Sequence, residues 1–148
     1  MSSKDVAAAI RKDLKVAFEG VKFSVRKGSG CSSVRVDWTD GPVSRAVKEQ
    51  VSKYELGRFD GMTDSYEYSN CRQDVPQCRY VFCTRDHSDK AIEAAIVAAR
   101  AEYGFTEEAT VEMYHNGDLN MIPAIGNAEG NQHWSVSSVI QRVMAGNI

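Results

Sequence analysis

The feature that most constrains the fold is a pair of alternating segments between Val21 and Trp38. Apolar and polar side chains alternate through residues 21–26 and again through 33–38, with the Gly- and Ser-rich break 27–32 between them. A period of two is typical of a strand with one buried face and one face in water. A short break of this composition favours a hairpin. The resulting ribbon is marginal alone and needs further strands and covering helices.

The rest of the chain supplies such elements. Apolar residues that recur every three or four positions predict amphipathic helices, and runs rich in aromatic and β-branched residues predict strands. Asn116-Gly117 lies between the short apolar runs 110–114 and 119–122, which predicts a second hairpin. The predicted helices span residues 4–18, 43–53, 89–103 and 135–144, and the further strands span 64–69 and 79–85.

The order of these elements predicts an α+β domain. The strands come in adjacent pairs with short connections, which favours a mostly antiparallel sheet in an α-β-β-α-β-β-α order with helices packed on one face. A C-terminal hairpin and a short helix follow. We therefore place a core domain at residues 1–104 and an extension, packed on the same domain, at residues 105–148.

Charge and hydropathy exclude some classes of protein. The chain has 148 residues and a net charge of -2, which argues against coating nucleic acid by bulk charge but allows a local basic patch. No apolar run approaches the length that crosses a bilayer, and the charged N-terminal segment lacks the apolar region of a signal peptide. We expect a cytoplasmic protein of the host cell, with no membrane partner and with reduced cysteines.

Several phrases that occur in order carry a family resemblance. They are FEG at 18–20, VKFSVR at 21–26, SVRVDWTDGP at 33–42 and RFDGMTD at 58–64. Together they resemble the large polyvalent protein-associated domain, type twenty-nine, over residues 4–87. The resemblance implies a phage, plasmid or conjugative element as the source and a role in helping that element to establish itself, including counter-defence. It provides no established active site to transfer.

One candidate metal site combines three thiols and an imidazole. Cys71, Cys78, Cys83 and His87 are the ligand types that zinc prefers. The spacing lacks the close Cys pair of structural zinc sites, and Cys83 lies in an apolar strand where a thiol acts as a small hydrophobic group. We therefore predict no metal and no cofactor.

Two other patterns could carry catalysis. Asp60, Asp64 and Glu67 could hold magnesium or act as acid and base, but Asp60-Gly61 is also ordinary turn chemistry, which we favour. A metal-dependent hydrolase or nuclease that uses Asp60, Asp64 and His87 is therefore the weakest hypothesis.

Thiol catalysis would need a cysteine and a histidine together. Cys31 or Cys71 could meet His115 or His133 in space. No helix begins directly after either cysteine, so nothing marks an activated thiolate. We predict no catalytic residue and hence no enzyme.

The first hairpin offers a basic surface. Its water-facing residues, with a Gly-Ser-Gly tip, could bind phosphate groups of nucleic acid, whereas the plainer interpretation is a solvated strand face weakened by Asp37. The predicted basic set is Lys22, Arg26, Lys27 and Arg35.

The C-terminal extension offers a surface of the opposite charge. Acidic side chains there accompany large aromatic ones, which are typical anchors of protein interfaces. The aromatic side chains could equally close the core. The predicted set is Glu107, Glu108, Glu112, Tyr114, Asp118 and Trp134.

The absence of a catalytic pattern, together with the resemblance, predicts a non-enzymatic binding protein of a mobile genetic element. Its first expected partner is a host protein, such as a restriction or CRISPR component, in a counter-defence role. The alternative is a nucleic-acid-binding accessory module that uses the basic hairpin.

Overall fold

The computed structural model describes residues 2–29, 32–124 and 134–146. The chain divides into two compact units, Met1–Asp86 and His87–Ile148, each with its own cluster of buried apolar residues. The α+β class predicted from the sequence is confirmed. The predicted loop 125–133 lies outside the described residues.

The described residues of the first unit form two α-helices and five strands. Helix α1 begins with a capping box, in which the Ser2 hydroxyl accepts from the backbone N–H of Lys4 and the Asp5 carboxylate accepts from that of Ser2. A short 3₁₀ turn, Ser52–Tyr54, follows the second helix. The elements are α1 (Ser3–Ala17), β1 (Ser24–Lys27), β2 (Ser33–Thr39), α2 (Ser44–Val51), β3 (Arg58–Asp60), β4 (Ser65–Glu67) and β5 (Tyr80–Asp86).

The strands form two sheets where the sequence predicted one. The main sheet has the order β1-β2-β5, and β3 and β4 form a separate antiparallel ribbon. Strands β1 and β2 pair antiparallel, which confirms the predicted hairpin. Strand β5 pairs with β2 in parallel, and the segment between them, which contains α2 and the β3–β4 ribbon, is long enough for the crossover that a parallel pair requires.

Both helices cover the same face of the main sheet. Val25, Val34, Val36 and Val81 point to this face and join the buried side chains of α1 and α2 in one core cluster. Burial of these apolar side chains is the main force that holds the helices on the sheet. The alternate side chains of the strands point to the opposite face, which we call the open face.

The second unit, within its described residues, is helical. Its elements are α3 (Asp89–Tyr103), α4 (Val111–Asn116), a 3₁₀ turn at Asp118–Asn120, and α5 (Val136–Met144). The buried stripe of α3, with Ile92 and Ile96, packs with Val139 and Ile140 of α5. The sequence prediction placed the α3 segment in a core domain that ended at residue 104. The structure groups this helix with the C-terminal helices.

The predicted C-terminal hairpin is wrong. The Thr110 hydroxyl accepts from the backbone N–H of Met113 at 3.2 Å and starts helix α4. Gly117 ends the helix in the left-handed conformation, with φ of 82°. An Asn-Gly pair serves a helix end as well as a hairpin turn, and here the Thr110 cap favours the helix.

Candidate functional site

The open face carries a row of side chains that crosses all three strands. Arg26 lies opposite Arg35 in the antiparallel pair, and Arg35 lies beside Phe82 in the parallel pair. Residues opposite one another in neighbouring strands share a face of the sheet. All three side chains are exposed. Two cations and an aromatic ring therefore stand side by side on the surface.

An aromatic ladder continues from this row. Four rings follow one another with centroid distances of 4.9 Å from Tyr68 to Tyr66, 5.4 Å from Tyr66 to Tyr80, and 5.8 Å from Tyr80 to Phe82. These distances are typical of favourable aromatic pairs. The two rings at the ends of the ladder are the more exposed ones, since Tyr68 is 53% and Phe82 is 52% exposed.

Arg79 fixes the ladder in place. Its Nη2 and Nε atoms donate to the Tyr68 hydroxyl at 2.6 and 3.1 Å, and its guanidinium lies 5.5 Å from the centre of the Tyr66 ring. The Tyr66 hydroxyl donates to the Arg79 carbonyl at 2.6 Å. The hydrogen bond to Tyr68 raises the pKa of Arg79, and burial raises the pKa of Tyr66. Both groups therefore keep their protons, and Arg79 adds a permanent positive charge to the face.

A close backbone approach positions the ribbon that carries Tyr66. An added Cβ at Gly57 would lie 1.7 Å from the Glu67 carbonyl oxygen, a distance that no side chain can occupy. The position therefore requires glycine, and it sets the start of β3 tightly against the end of β4.

The predicted basic set is only partly brought together. The Arg26 guanidinium donates to the Asp37 carboxylate at 2.6 Å, whereas the Arg35 side chain makes no hydrogen bond or ion pair with another described residue. Lys27 lies opposite Val34 in the last residue pair between β1 and β2, and it therefore belongs to the covered face of the sheet. Lys22 precedes β1 and lines a separate open cleft beside Trp38. The Gly-Ser-Gly tip includes Gly30, which is outside the described residues.

The acidic side chains of the open face lie at the far end of the strands. Asp37 lies two positions after Arg35 in β2, and Asp86 lies four positions after Phe82 in β5. Both therefore share the open face, towards the C-terminal ends of these strands. Asp37 is engaged by Arg26. The part of the open face next to the aromatic ladder therefore has positive charge, and the opposite end has negative charge.

The predicted C-terminal set contains exposed acids and partly buried rings. Tyr114 and Trp134 pack against the second core cluster, and the Arg142 guanidinium lies 4.3 Å from the centre of the Trp134 ring. The Glu107 carboxylate accepts from the backbone N–H of Thr106 at 3.1 Å. Glu108, Glu112 and Asp118 are exposed.

Cys78 and Cys83 lie in environments that favour the neutral thiol. Cys78 is fully buried, and burial raises its pKa to about 11. Burial also raises the pKa of Cys83, while Cys71 is exposed. These three cysteines form no disulfide. Across residues 2–29, 32–124 and 134–146, no three His, Cys, Asp or Glu side chains come close enough to hold a metal ion.

The carboxylate at the predicted turn is used by the turn itself. Asp60 accepts from the backbone N–H of Met62 at 2.9 Å and from the Thr63 hydroxyl at 3.1 Å, and these bonds lower its pKa. Asp64 occupies the left-handed region with φ of 49°. This geometry agrees with the turn interpretation of the sequence. Of the four residues considered for thiol catalysis, Cys31 and His133 are outside the described residues.

Charge separates the two units. Residues 1–86 contain fifteen Lys and Arg against twelve Asp and Glu, a net charge of +3. Residues 87–148 contain three Lys and Arg against eight Asp and Glu, a net charge of -5. The modest total charge of the chain conceals a basic unit and an acidic one.

The described residues of the first unit define a small α+β domain in which α1 and α2 pack on the same face of the main sheet. The chain belongs to the large polyvalent protein associated domain 29 family, whose model matches residues 1–88. This match confirms the resemblance and places the chain among proteins associated with phages and other mobile genetic elements. It covers the first unit and ends two residues beyond it. Neither a curated protein nor a solved structure matches the chain.

In the part of the chain that the structure describes, every helix is too short or too polar to cross a bilayer.

The sequence reasoning missed the aromatic ladder. It predicted strands at residues 64–69 and 79–85 but gave their aromatic side chains no role. A local signal was present, because Tyr80 and Phe82 are two positions apart and therefore share a face, while Val81 takes the other. The meeting of Tyr66 with Tyr80 depends on tertiary structure and has no such signal.

Proposed function

We propose that this protein is a non-enzymatic binding module of a mobile genetic element that contacts nucleic acid through its open face. The observation that carries the proposal is the placement of Arg35 beside the exposed ring of Phe82, at the end of the aromatic ladder. Phosphate groups attract the cation, and the flat faces of bases stack on aromatic rings.

The charge distribution supports this assignment. The unit that carries the open face has a net charge of +3, and Arg35 has no partner among the described residues that would compete with a phosphate. Contacts to about two or three phosphates would give a slope of log K against log salt concentration of roughly -1.4 to -2.1 for a single strand and roughly -1.8 to -2.7 for a duplex. Affinity is therefore expected to be modest and to fall as salt is raised.

The experiment is a titration of fluorescein-labelled oligonucleotides, followed by fluorescence anisotropy at several salt concentrations. Arg35→Glu should weaken binding by about tenfold or more. Arg45→Glu is the matched control, because Arg45 is an exposed arginine of helix α2, which packs on the covered face, and its ion pair with Glu49 is local to that helix. Equal losses in the two variants, or no binding by the natural protein at low salt, would contradict the proposal.

The absence of a chemical step is part of the proposal. The support is that Cys78 and Cys83 have raised pKa values and that the Asp60 carboxylate is occupied by its turn. Incubation of single- and double-stranded DNA with the protein and magnesium should leave both intact. Cleavage that disappears in Asp60→Asn would favour the hydrolase hypothesis instead.

A host protein is the second candidate partner, in the counter-defence role that the sequence predicted. The observation that favours it is a pair of exposed apolar side chains on the β3–β4 ribbon: Phe59 in β3 is 52% exposed, and Met62 in the turn is 95% exposed. Exposed apolar side chains are common anchors of protein interfaces. A nuclease-treated pull-down should then recover a restriction or CRISPR component that is lost in Phe59→Ser/Met62→Ser and retained in Arg35→Glu. Recovery by both variants would remove this candidate.

A further inference from the structure

Positive and negative side chains lie at different ends of the open face, and this distribution of charge defines where an anionic ligand would lie. Phe82 lies beside Arg35 on the neighbouring strand, and the aromatic ladder continues from Phe82 towards the N-terminal end of β5. Asp37 and Asp86 lie towards the C-terminal ends of β2 and β5. An anionic chain is attracted towards the ladder and repelled from these aspartates. A bound strand would therefore follow the rings from Phe82 towards Tyr68.

The rings present their surfaces in a form that suits unpaired bases. Tyr68 and Phe82, at the two ends, are each about half exposed, while Tyr66 and Tyr80 between them are more covered. The Tyr80 and Phe82 rings are nearly parallel, with an interplanar angle of 15° and 5.8 Å between their centroids. Contact with Tyr80 restricts the Phe82 ring, so less entropy is lost when a base stacks on it.

The accessibility of the base faces distinguishes single strands from duplexes as ligands of the open face. In a duplex each base face is covered by the next base pair, so exposed rings have nothing to stack on. In a single strand the faces are available, and sheet platforms of this kind can stack about two or three bases. The Arg79 guanidinium donates to the Tyr68 hydroxyl and lies over the Tyr66 and Tyr68 rings, so its charge is held beside the aromatic ladder.

We infer that the open face selects single-stranded nucleic acid, with unpaired bases stacked on Phe82 and Tyr68 and a phosphate held by Arg35. This inference rests on the nucleic-acid binding proposed above and adds the class of strand. The stacking chemistry is shared by DNA and RNA, so the experiment must include both.

The test uses the full chain and four labelled probes of equal length: oligothymidylate, oligouridylate, a DNA duplex and an RNA duplex. Either single strand should bind at least about tenfold more tightly than its duplex. A preference for oligothymidylate identifies DNA as the ligand, and a preference for oligouridylate identifies RNA; both support the inference.

Two substitutions at one position separate stacking from simple apolar contact. Phe82→Tyr keeps the ring and should bind single strands within about twofold of the natural protein, whereas Phe82→Leu keeps apolar bulk without a ring and should weaken binding by about tenfold. Because Phe82 is 52% exposed, both variants should fold, which circular dichroism will verify. Equal binding by the two variants would overturn the inference.

The outcomes also separate this inference from the proposed function. If duplexes bind as tightly as single strands and Arg35→Glu weakens both, the proposed function stands and the inference fails. If no probe binds at low salt, both fail, and the host-protein candidate is the one that remains.

Discussion

The two units of the chain expose their surfaces in different ways. The first unit is basic and leaves one face of its sheet open, with aromatic and arginine side chains on it. The second unit is acidic, and its large rings, such as Phe105 and Tyr114, pack into or against a helical core. The family match covers the first unit and only the beginning of the second.

This difference shows that average composition is a poor guide to binding. The total charge of -2 argues against nucleic acid, but it combines a unit of +3 with a unit of -5. A sheet covered on one side presents alternate side chains to water by its geometry. A helix that buries one stripe presents mainly its charged side. The candidate site therefore belongs to the unit that contains the sheet.

The largest expected effect tests whether the units have separate cores. Leu14 and Ile140 are fully buried, each in the core cluster of its own unit. Leu14→Ala should lower the free energy of unfolding of the first unit by about 2–5 kcal/mol, and Ile140→Ala should do the same to the second. Hydrogen exchange measured by mass spectrometry will report each unit. Loss of protection in β2 and α5 alike, after either change, would contradict the division.

A smaller loss of stability is expected at Gly57 and tests the role of the β3–β4 ribbon in the first unit. Gly57→Ala forces a Cβ against the Glu67 carbonyl and should cost about 1–3 kcal/mol in the free energy of unfolding. It should also weaken oligonucleotide binding, because it displaces the strand that carries Tyr66. Gly61→Ala is the control, since a Cβ there meets nothing within 4 Å. Chemical denaturation and anisotropy will measure both effects, and equal behaviour of the two variants would refute the role of Gly57.

The smallest effect concerns alkaline pH. Burial raises the pKa of Cys78 to about 11 from an ordinary value of 9.0, so the native state keeps its proton longer than the unfolded state. The stability of the first unit should therefore fall as pH rises from 9 to 11. Cys78→Ala should reduce this fall. All four cysteines precede residue 87, so the second unit provides an internal reference. A decline of equal slope in both units would argue against Cys78 as its cause.

Local signals were sufficient to predict elements in both units. The alternation through residues 21–38 gave the β1–β2 hairpin, and Ser88 with Gly104 gave the ends of α3, where they act as caps. These signals depend on neighbouring residues, which the sequence shows directly.

Non-local pairing was not predictable in the same way. The parallel alignment of β2 with β5 and the separation of the β3–β4 ribbon depend on which distant segments meet. The aromatic ladder follows from that pairing, so its members were assigned to strands without a role. The Asn116-Gly117 pair shows the converse error, because one local signal fits two structures and the Thr110 cap favoured the helix.

The parallel pairing of β2 with β5 also has a consequence for biosynthesis. Each of its residue pairs joins positions on either side of the whole α2 and β3–β4 segment, from Ser33 with Tyr80 to Thr39 with Asp86. Closing so long a loop is slow and must wait for its second half. On the ribosome, the edge of β2 therefore stays unpaired until β5 has emerged from the exit tunnel. A nascent chain stalled before Tyr80 would lack the surface, and with it any capacity to engage a ligand.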